Sequence, residues 1–316
     1  MKIAVVNMPT VFANHNANMT TAVNYIKQAS VEGAKLIVFP EFFNTGFAVS
    51  PMLLEAIKLS QNMENELSNL SSAYHIAIGG SYLHYDTASD NIYNVFGLFF
   101  PDGAQYFHRK DIPTALENFC YTKGDEESAF DTPYGKIGVV MCWEQLRYQT
   151  VKRMAGKVDF IIGGSCWWNF TPEDGANVYD TLCGLNARLA FDAPVTLSKI
   201  MGVPMIHASH HGAFPGSSMS DRKKICNRNI EGAAIVTDAS GNILLSQHEQ
   251  TGCFFADITP GCIKPEINIP QNQYWIPNLP QPMTAGFEML NQKYAEVYEN
   301  LVLPQARQAF QNPSSL

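Results

Sequence analysis

Short apolar runs recur along the whole chain and alternate with segments of helical periodicity. Runs of this length, bounded by Gly, Pro, Asn or charged residues, are typical of strands that are buried on both faces. This alternation restricts the chain to an α/β fold in which helices cover central sheets. The predicted strands are Lys2–Met8, Lys35–Pro40, His75–Gly80, Ile92–Phe99, Gln105–His108, Ile137–Met141, Asp159–Gly163, Met205–Ser209, Ala233–Asp238, Asn242–Ser246 and Gly252–Ile258.

Segments with helical periodicity lie between several of these runs. The segment Ala17–Glu32 follows Asn14, a residue type that caps helix N-termini, and precedes Gly33, which is typical of a helix end. Tight turns such as Pro101-Asp102-Gly103 join other strands directly. Crossovers and hairpins therefore occur together, which predicts mixed sheets with helices outside them. The other predicted helices are Pro51–Ala73, Glu144–Gly156 and Asn177–Phe191.

The 316 residues contain no obvious linker or repeat. The simplest partition is one domain over 1–264 followed by an extension over 265–316. The extension is rich in Pro, Asn and Gln as far as Pro282 and then has a helical pattern over Phe287–Phe310. Such a segment is typical of an oligomerisation arm that packs on a neighbouring subunit, and equally of a terminal helix that closes its own core.

The composition excludes some classes of partner. The net charge of −8 argues against nucleic acid or an anionic membrane surface, and no apolar run is long enough to span a bilayer. Charged residues make up 16% of the chain, below the usual ~25%, which indicates a thick layered core or an oligomer interface. Seven cysteines without a CxxC pair predict a reducing, cytoplasmic compartment.

Three residues that could take part in catalysis stand at the ends of predicted strands. Glu41 follows an apolar strand and is surrounded by phenylalanines, so desolvation is expected to raise its pKa towards that of a general base. Lys110 follows the return strand of a hairpin, where an ammonium can stabilise an oxyanion. Cys142 lies between a strand and a helical pattern, and this elbow exposes a nucleophile near a helix N-terminus.

Taken alone, each of these residues also has an ordinary structural explanation. Together, their order along the chain and their neighbours resemble the nitrilase superfamily of carbon–nitrogen hydrolases. The resemblance covers residues 1 to about 260. It rests on Pro40-Glu41 with Gly46-Phe47, on His108-Arg109-Lys110 with Pro113-Thr114, on Gly138 with Cys142-Trp143-Glu144, and on Glu117.

The resemblance implies a four-layer α-β-β-α sandwich with two central mixed sheets. It also implies a catalytic Glu41–Lys110–Cys142 triad assisted by Glu117, with neither metal nor cofactor, and a homodimer or higher homo-oligomer. In the implied mechanism Glu41 takes the Cys142 proton, and Lys110 and the Trp143 backbone N–H stabilise the developing charge. The product of the first half-reaction is a thioester, which water then hydrolyses.

The implied substrate is a small amide or nitrile. Phe47, Cys166, Trp167 and Trp168 are candidate substrate-binding residues. The last three lie in the segment after Asp159–Gly163, which borders the active site in the resembled family, and Phe47 is a candidate for additional aromatic surface. Cys142-Trp143-Glu144 is similar to the nitrilase branch, but Gln145 replaces the continuation of that motif. An amidase is therefore the preferred hypothesis, and a nitrilase is the alternative.

Other classes of function also fit parts of the sequence. His207, His210 and His211 permit a zinc site, although no partner stands at structural-zinc spacing. A Cys142–His210 dyad of the cysteine-protease type leaves Glu41 and Lys110 unexplained. A catalytically silent binding protein on the same scaffold is the non-enzymatic alternative.

Overall fold

The computed structural model describes residues 1–47, 52–124, 127–218, 224–265, 269 and 272–311. Its helices are α1 (His15–Val31), α2 (Leu53–Leu59), α3 (Met63–Tyr74), α4 (Tyr148–Met154), α5 (Ala176–Met201), α6 (Gln281–Val297) and α7 (Leu303–Gln311). Its strands are β1 (Lys2–Met8), β2 (Leu36–Val38), β3 (Ala77–Asp86), β4 (Asn91–Phe99), β5 (Gln105–Arg109), β6 (Ala129–Thr132), β7 (Gly135–Met141), β8 (Phe160–Ser165), β9 (Met205–His210), β10 (Ala213–Ser217), β11 (Ile225–Asn229), β12 (Ala234–Thr237), β13 (Ile243–Gln247) and β14 (Gly252–Asp257).

Two mixed sheets form the centre of the fold. The first has the strand order β14-β1-β2-β3-β4-β5, and the second has the order β13-β12-β9-β8-β7-β6. The sheets meet where the last residues of β1, Asn7 and Met8, pair with Ser209 and His210 of β9. A separate two-stranded ribbon is formed by β10 and β11.

Apolar side chains divide the molecule into four layers. Alternate residues of both sheets, such as Val5, Val139 and Ile206, pack together in the central core between the sheets. The outer face of the first sheet packs against α1 and α3, and the outer face of the second packs against α4 and α5. The predicted α-β-β-α sandwich is therefore confirmed, and the strands read as continuous apolar runs because both of their faces are covered.

Several boundaries differ from the prediction. The helix predicted over Asn177–Phe191 is α5, which continues through Pro194 to Met201 because Leu197, Ile200 and Met201 pack into the outer core of the second sheet. That burial outweighs the cost of an internal proline. The short strand β6 and the ribbon of β10 and β11 were not predicted, since their sequences are not apolar.

The C-terminal extension packs on its own chain. Asn291 in α6 accepts hydrogen bonds from the Ala115 backbone N–H (2.8 Å) and the Asn118 side chain (2.7 Å). Tyr298, in a π-helical turn after α6, accepts one from the Ile92 N–H (2.9 Å). A role of the extension in oligomerisation stays a prediction. Among the helices of the described ranges, none has the length and apolar character needed to cross a bilayer.

Replacing Gly163 in β8 by alanine is expected to destabilise the fold. A Cβ at this position would lie 1.9 Å from the carbonyl oxygen of Val140, so the two strands would have to separate. We expect a loss of at least about 2 kcal/mol in the free energy of unfolding, measured by urea denaturation. Gly184→Ala in α5 is the control, since its Cβ would meet only the Arg188 side chain, at 3.9 Å. Equal stabilities of the two variants would contradict this account of the sheet.

Candidate active site

Three strand ends bring the predicted catalytic residues together. Glu41 follows β2, Lys110 follows β5 directly, and Cys142 follows β7 directly. All three are buried, as is Glu117 in the 3-10 helix Ala115–Phe119. The four residues come from both sheets, so the packing of the sandwich fixes their relative positions.

The ammonium of Lys110 lies between two carboxylates. Its Nζ is 2.7 Å from Glu41 Oε1 and 2.7 Å from Glu117 Oε2. Ligand atoms of Glu41, Glu117 and Cys142 all lie within 4.8 Å of one another, so the thiol stands beside this bridge. Such a set of atoms has the spacing of a metal site, but the Lys110 ammonium already supplies a cation to both carboxylates.

Burial and mutual charge set the protonation of these groups. Burial raises the pKa of Glu41 to about 7, with the Glu117 carboxylate adding to the rise and Lys110 opposing it. Burial alone would lower the pKa of Lys110, but the two carboxylates raise it above its usual range. Burial and the charge of Glu41 raise the pKa of the Cys142 thiol, and Lys110 offsets only part of this effect. At neutral pH the resting pair is therefore a thiol beside a carboxyl group that titrates in the physiological range.

Additional donors orient the carboxylates. Glu41 Oε1 accepts from the Asn94 side chain (2.8 Å), and Oε2 accepts from the Cys166 backbone N–H (3.0 Å). Glu117 Oε2 accepts from the Thr114 N–H (2.7 Å) and from the Tyr121 hydroxyl (2.6 Å). The contact of Asn94 was not predicted, because Asn94 belongs to no quoted motif. Thr114 stands in the quoted lysine motif, but no role was predicted for its backbone N–H.

The backbone turns sharply at the nucleophile. Cys142 has φ = 49°, in the left-handed region that non-glycine residues rarely adopt, and it begins the 3-10 helix Cys142–Leu146. The Gln145 side chain donates to the Cys142 carbonyl at 3.2 Å. This is the elbow that the strand-to-helix change predicted, and its unusual φ marks a position where surrounding contacts hold a strained conformation.

The contacts that hold the elbow centre on Glu144, which is fully buried. Its carboxylate accepts hydrogen bonds from the backbone N–H groups of Met141 (2.7 Å) and Asp111 (2.9 Å). It also lies 3.0 Å from Nε2 of His108, whose Nδ1 donates to the Glu127 carbonyl. Burial alone would raise the pKa of Glu144, but His108 lowers it below its usual value. Burial alone would lower the pKa of His108, but Glu144 raises it above its usual value. Glu144 therefore ties the lysine segment to the cysteine elbow.

This positioning role was missed in the sequence, although both partners stand inside quoted motifs. The sequence did carry a signal for this role. His108 stands two positions before Lys110, and Glu144 stands two positions after Cys142. An acid within an otherwise apolar segment needs a buried partner, and His108 is that partner.

A mainly apolar cavity of about 290 Å³ opens at Cys142. Trp143, Trp167 and Trp168 are among its lining residues, and a role of the two consecutive tryptophans in substrate binding stays a prediction. Phe47 and Cys166 are not among the described lining residues. Phe47 instead stacks on Phe42 with ring centroids 5.0 Å apart, and Cys166 contributes its backbone N–H to Glu41.

The histidine cluster is engaged in structural contacts. His210 Nε2 donates to the Glu41 carbonyl (2.6 Å), and its Nδ1 pairs with the Thr10 hydroxyl (2.8 Å). His207 contacts the Ser165 hydroxyl and the Ala233 carbonyl. Burial lowers the pKa of both histidines to about 4, so they are neutral at pH 7. This geometry favours neither the zinc site nor the Cys142–His210 dyad.

Comparison with known proteins gives a consistent result. Residues 2–176 match the carbon-nitrogen hydrolase family model. Omega-amidase NIT2 of Homo sapiens is 33% identical over 138 residues, which cover 40% of this chain and 49% of that protein. Nitrilase 3 of Arabidopsis thaliana is 31% identical over 173 residues, with coverages of 46% and 47%. The chain thus matches about half the length of these curated relatives.

Solved structures share the fold at low sequence identity. An amidase from Nesterenkonia sp. AN1, with acrylamide added to its active-site cysteine, aligns with a TM-score of 0.64 and 14% identity, over 82% of this chain and 93% of that one. A carbon–nitrogen hydrolase superfamily protein from Xanthomonas campestris, with an arsenic adduct in its active site, aligns with a TM-score of 0.61 and 15% identity, over 81% and 89%. At these identities the likeness shows the fold.

Glu144→Gln is expected to lower the free energy of unfolding by about 3 kcal/mol or more. The substitution removes the charge that pairs with buried His108 and turns an acceptor of backbone N–H groups into a partial donor. Glu55→Gln is the matched control, because Glu55 is exposed. Its contact with Lys58, at 3.7 Å on the surface of a helix, contributes little to stability. Urea denaturation of both variants measures the difference. A Glu144→Gln variant as stable as Glu55→Gln would contradict the positioning role.

Proposed function

The chain belongs to the carbon–nitrogen hydrolase family, and on this premise we propose that it is an amidase-type hydrolase. The proposed reaction converts a small amide to a carboxylate and ammonia or an amine, through a thioester on Cys142. The observation that carries the proposal is the Lys110 ammonium held between Glu41 and Glu117 beside a thiol at a strained elbow.

Attack on the amide requires a base for the thiol proton. Because the pKa of the Cys142 thiol is raised, a free thiolate is scarce before substrate binds. Glu41, with a pKa of about 7, is ionised in a large share of molecules at neutral pH and takes the proton as Sγ bonds to the carbonyl carbon. The tetrahedral oxyanion is stabilised by Lys110 and by the backbone N–H of Trp143.

Collapse of the tetrahedral intermediate breaks the C–N bond. The proton that Glu41 received passes to the leaving nitrogen, so ammonia or an amine departs and the thioester remains. Glu41 then removes a proton from water as the water oxygen bonds to the thioester carbonyl carbon. The C–S bond breaks, the proton on Glu41 passes to the Cys142 sulfur, and the released acid loses its own proton to solvent to become the carboxylate. One amide and one water are consumed in each cycle, and Glu41 returns to its starting state.

A nitrilase is the second candidate function. The Cys142-Trp143-Glu144 sequence and the similarity to Nitrilase 3 of Arabidopsis thaliana both support it. The same thiol can add to a nitrile carbon, and Lys110 would then stabilise charge on nitrogen. Amide hydrolysis is preferred because Gln145 departs from the nitrilase motif and because the similarity to omega-amidase NIT2 recurs in several vertebrates.

We also propose that the enzyme acts in the cytoplasm as a homo-oligomer, with a small molecule as its substrate. The seven cysteines are unpaired, which supports a reducing compartment. Size-exclusion chromatography with light scattering measures the oligomeric state directly.

Ammonia release from a panel of small amides, N-carbamoyl compounds and nitriles tests the reaction class. We expect turnover of amides in the wild type, and a loss of at least about 10³-fold in kcat in Cys142→Ala with the fold retained by circular dichroism. Cys262→Ala, which alters an exposed cysteine, is the matched control and should keep wild-type activity. Turnover of nitriles alone would select the nitrilase, and residual Cys142→Ala activity within tenfold of wild type would exclude the thioester route. A silent binding protein would release no ammonia from any compound.

A further inference from the structure

The cavity at Cys142 has a wall from the C-terminal extension. Its other sides are formed by Trp143, by Trp167 and Trp168, and by α5 residues such as Leu182. The extension contributes one face of α6, which lies well beyond the residues that match the family model. The lining residues of that face are Pro282, Met283, Gly286, Phe287, Met289 and Leu290.

Helix α6 is fixed against the catalytic elbow. The Phe287 ring stacks on the Trp143 indole with centroids 5.6 Å apart and an interplanar angle of 10°. Trp275, which precedes the helix, contacts both rings edge-on. One turn later, Asn291 binds the 3-10 helix that carries Glu117. The wall is thus held by the same segments that carry the catalytic groups.

Two polar side chains of the cavity, Asp174 and Asn186, are already engaged. Asp174 forms two 2.7 Å contacts with Arg228, and Asn186 accepts from the Trp167 indole N–H at 2.9 Å. Thr114 adds no charge. The described lining contains no Lys or Arg. Among the described lining residues, a carboxylate on the acyl group would find no Lys or Arg, and loss of hydration without such a partner is costly in an apolar site.

Gly286 leaves part of the cavity open. A Cβ built at this position meets no heavy atom within 4 Å, and the residue lies inside α6 rather than in a turn. Glycine is unfavourable inside a helix relative to alanine, so local helix stability does not account for it. Its consequence here is unfilled space at a residue that lines the cavity.

We propose that this cavity binds the acyl group of the substrate, that it selects uncharged apolar acyl groups of about the size of one ring, and that Gly286 sets its depth. The proposal rests on the proposed amide hydrolysis at Cys142. A volume of about 290 Å³ is at the lower limit of small-molecule sites, which suits a single aryl or branched alkyl group. Aromatic walls supply the apolar contact area for such a group.

Two pairs of substrates test size and charge. Phenylacetamide and acetamide differ in size; 4-methylpentanamide and succinamate have similar shapes and differ in charge. We expect kcat/KM of the wild type to be at least tenfold higher for 4-methylpentanamide than for succinamate. In Gly286→Leu, kcat/KM should fall at least tenfold for phenylacetamide and less than twofold for acetamide. Gly184→Leu is the matched control, a helix glycine outside the cavity, and should change neither value by more than twofold.

The outcomes separate this proposal from the proposed function. A preference for succinamate, or equal losses for both amides in Gly286→Leu, would overturn the acyl-pocket assignment while leaving amide hydrolysis intact. If no amide is hydrolysed, binding still tests the cavity, because phenylacetamide should quench the fluorescence of the lining tryptophans. That binding should weaken at least tenfold in Gly286→Leu and be unchanged in Gly184→Leu. Absence of binding to the wild type, or binding that Gly286→Leu leaves unchanged, would overturn the assignment.

Discussion

The ammonium of Lys110 contacts Glu41 and Glu117 where all three side chains are buried, and the remaining features of the site depend on this bridge. A single cation cannot fully compensate two carboxylates. Burial moves the pKa of Glu41 to about 7, with the Glu117 carboxylate adding to the rise and Lys110 opposing it. Removal of Lys110 would leave two uncompensated carboxylates, so the bridge matters for folding as well as for the proposed chemistry.

A second buried network fixes the position of the nucleophile relative to the Lys110 bridge. Glu144 binds the backbone at both Met141 and Asp111, which are neighbours of Cys142 and Lys110. Asp111 in turn contacts Arg147 and Arg153 at 2.7 Å each, beyond the elbow. The strained φ of Cys142 is therefore supported from both sides, and Cys142 is buried where it also lines the cavity.

Most of the central strands were predictable, because burial on both faces gives a run of apolar residues. Such a run can be recognised in the local sequence without knowing which strands it pairs with. Lys2–Met8 agrees with β1 at both ends. The strand-end positions of Glu41, Lys110 and Cys142 were predictable for the same reason, since a polar residue that ends such a run lies at the sheet edge. The ribbon of β10 and β11 was not predictable, because its pairing depends on neighbours rather than on composition.

The cavity was predictable only in part. Trp167 and Trp168 follow a recognisable strand, but the wall from α6 depends on where the extension folds back, and nothing local in Gln281–Val297 encodes that position. The position of the Phe47 ring was not predictable for the same reason. Its contacts depend on which ring lies next to it in the fold, and that ring is Phe42.

The protonation of Glu41 tests the central claim most directly. Carbon-13 NMR of protein labelled at the glutamate carboxyl carbons follows each carboxyl group through a pH titration, and Glu41→Gln identifies the resonance of interest. Burial of Glu41, which Lys110 only partly offsets, predicts one glutamate resonance that titrates near pH 7 and is missing from Glu41→Gln. Titration of every glutamate resonance below about pH 5, close to the ordinary glutamate value, would contradict the account.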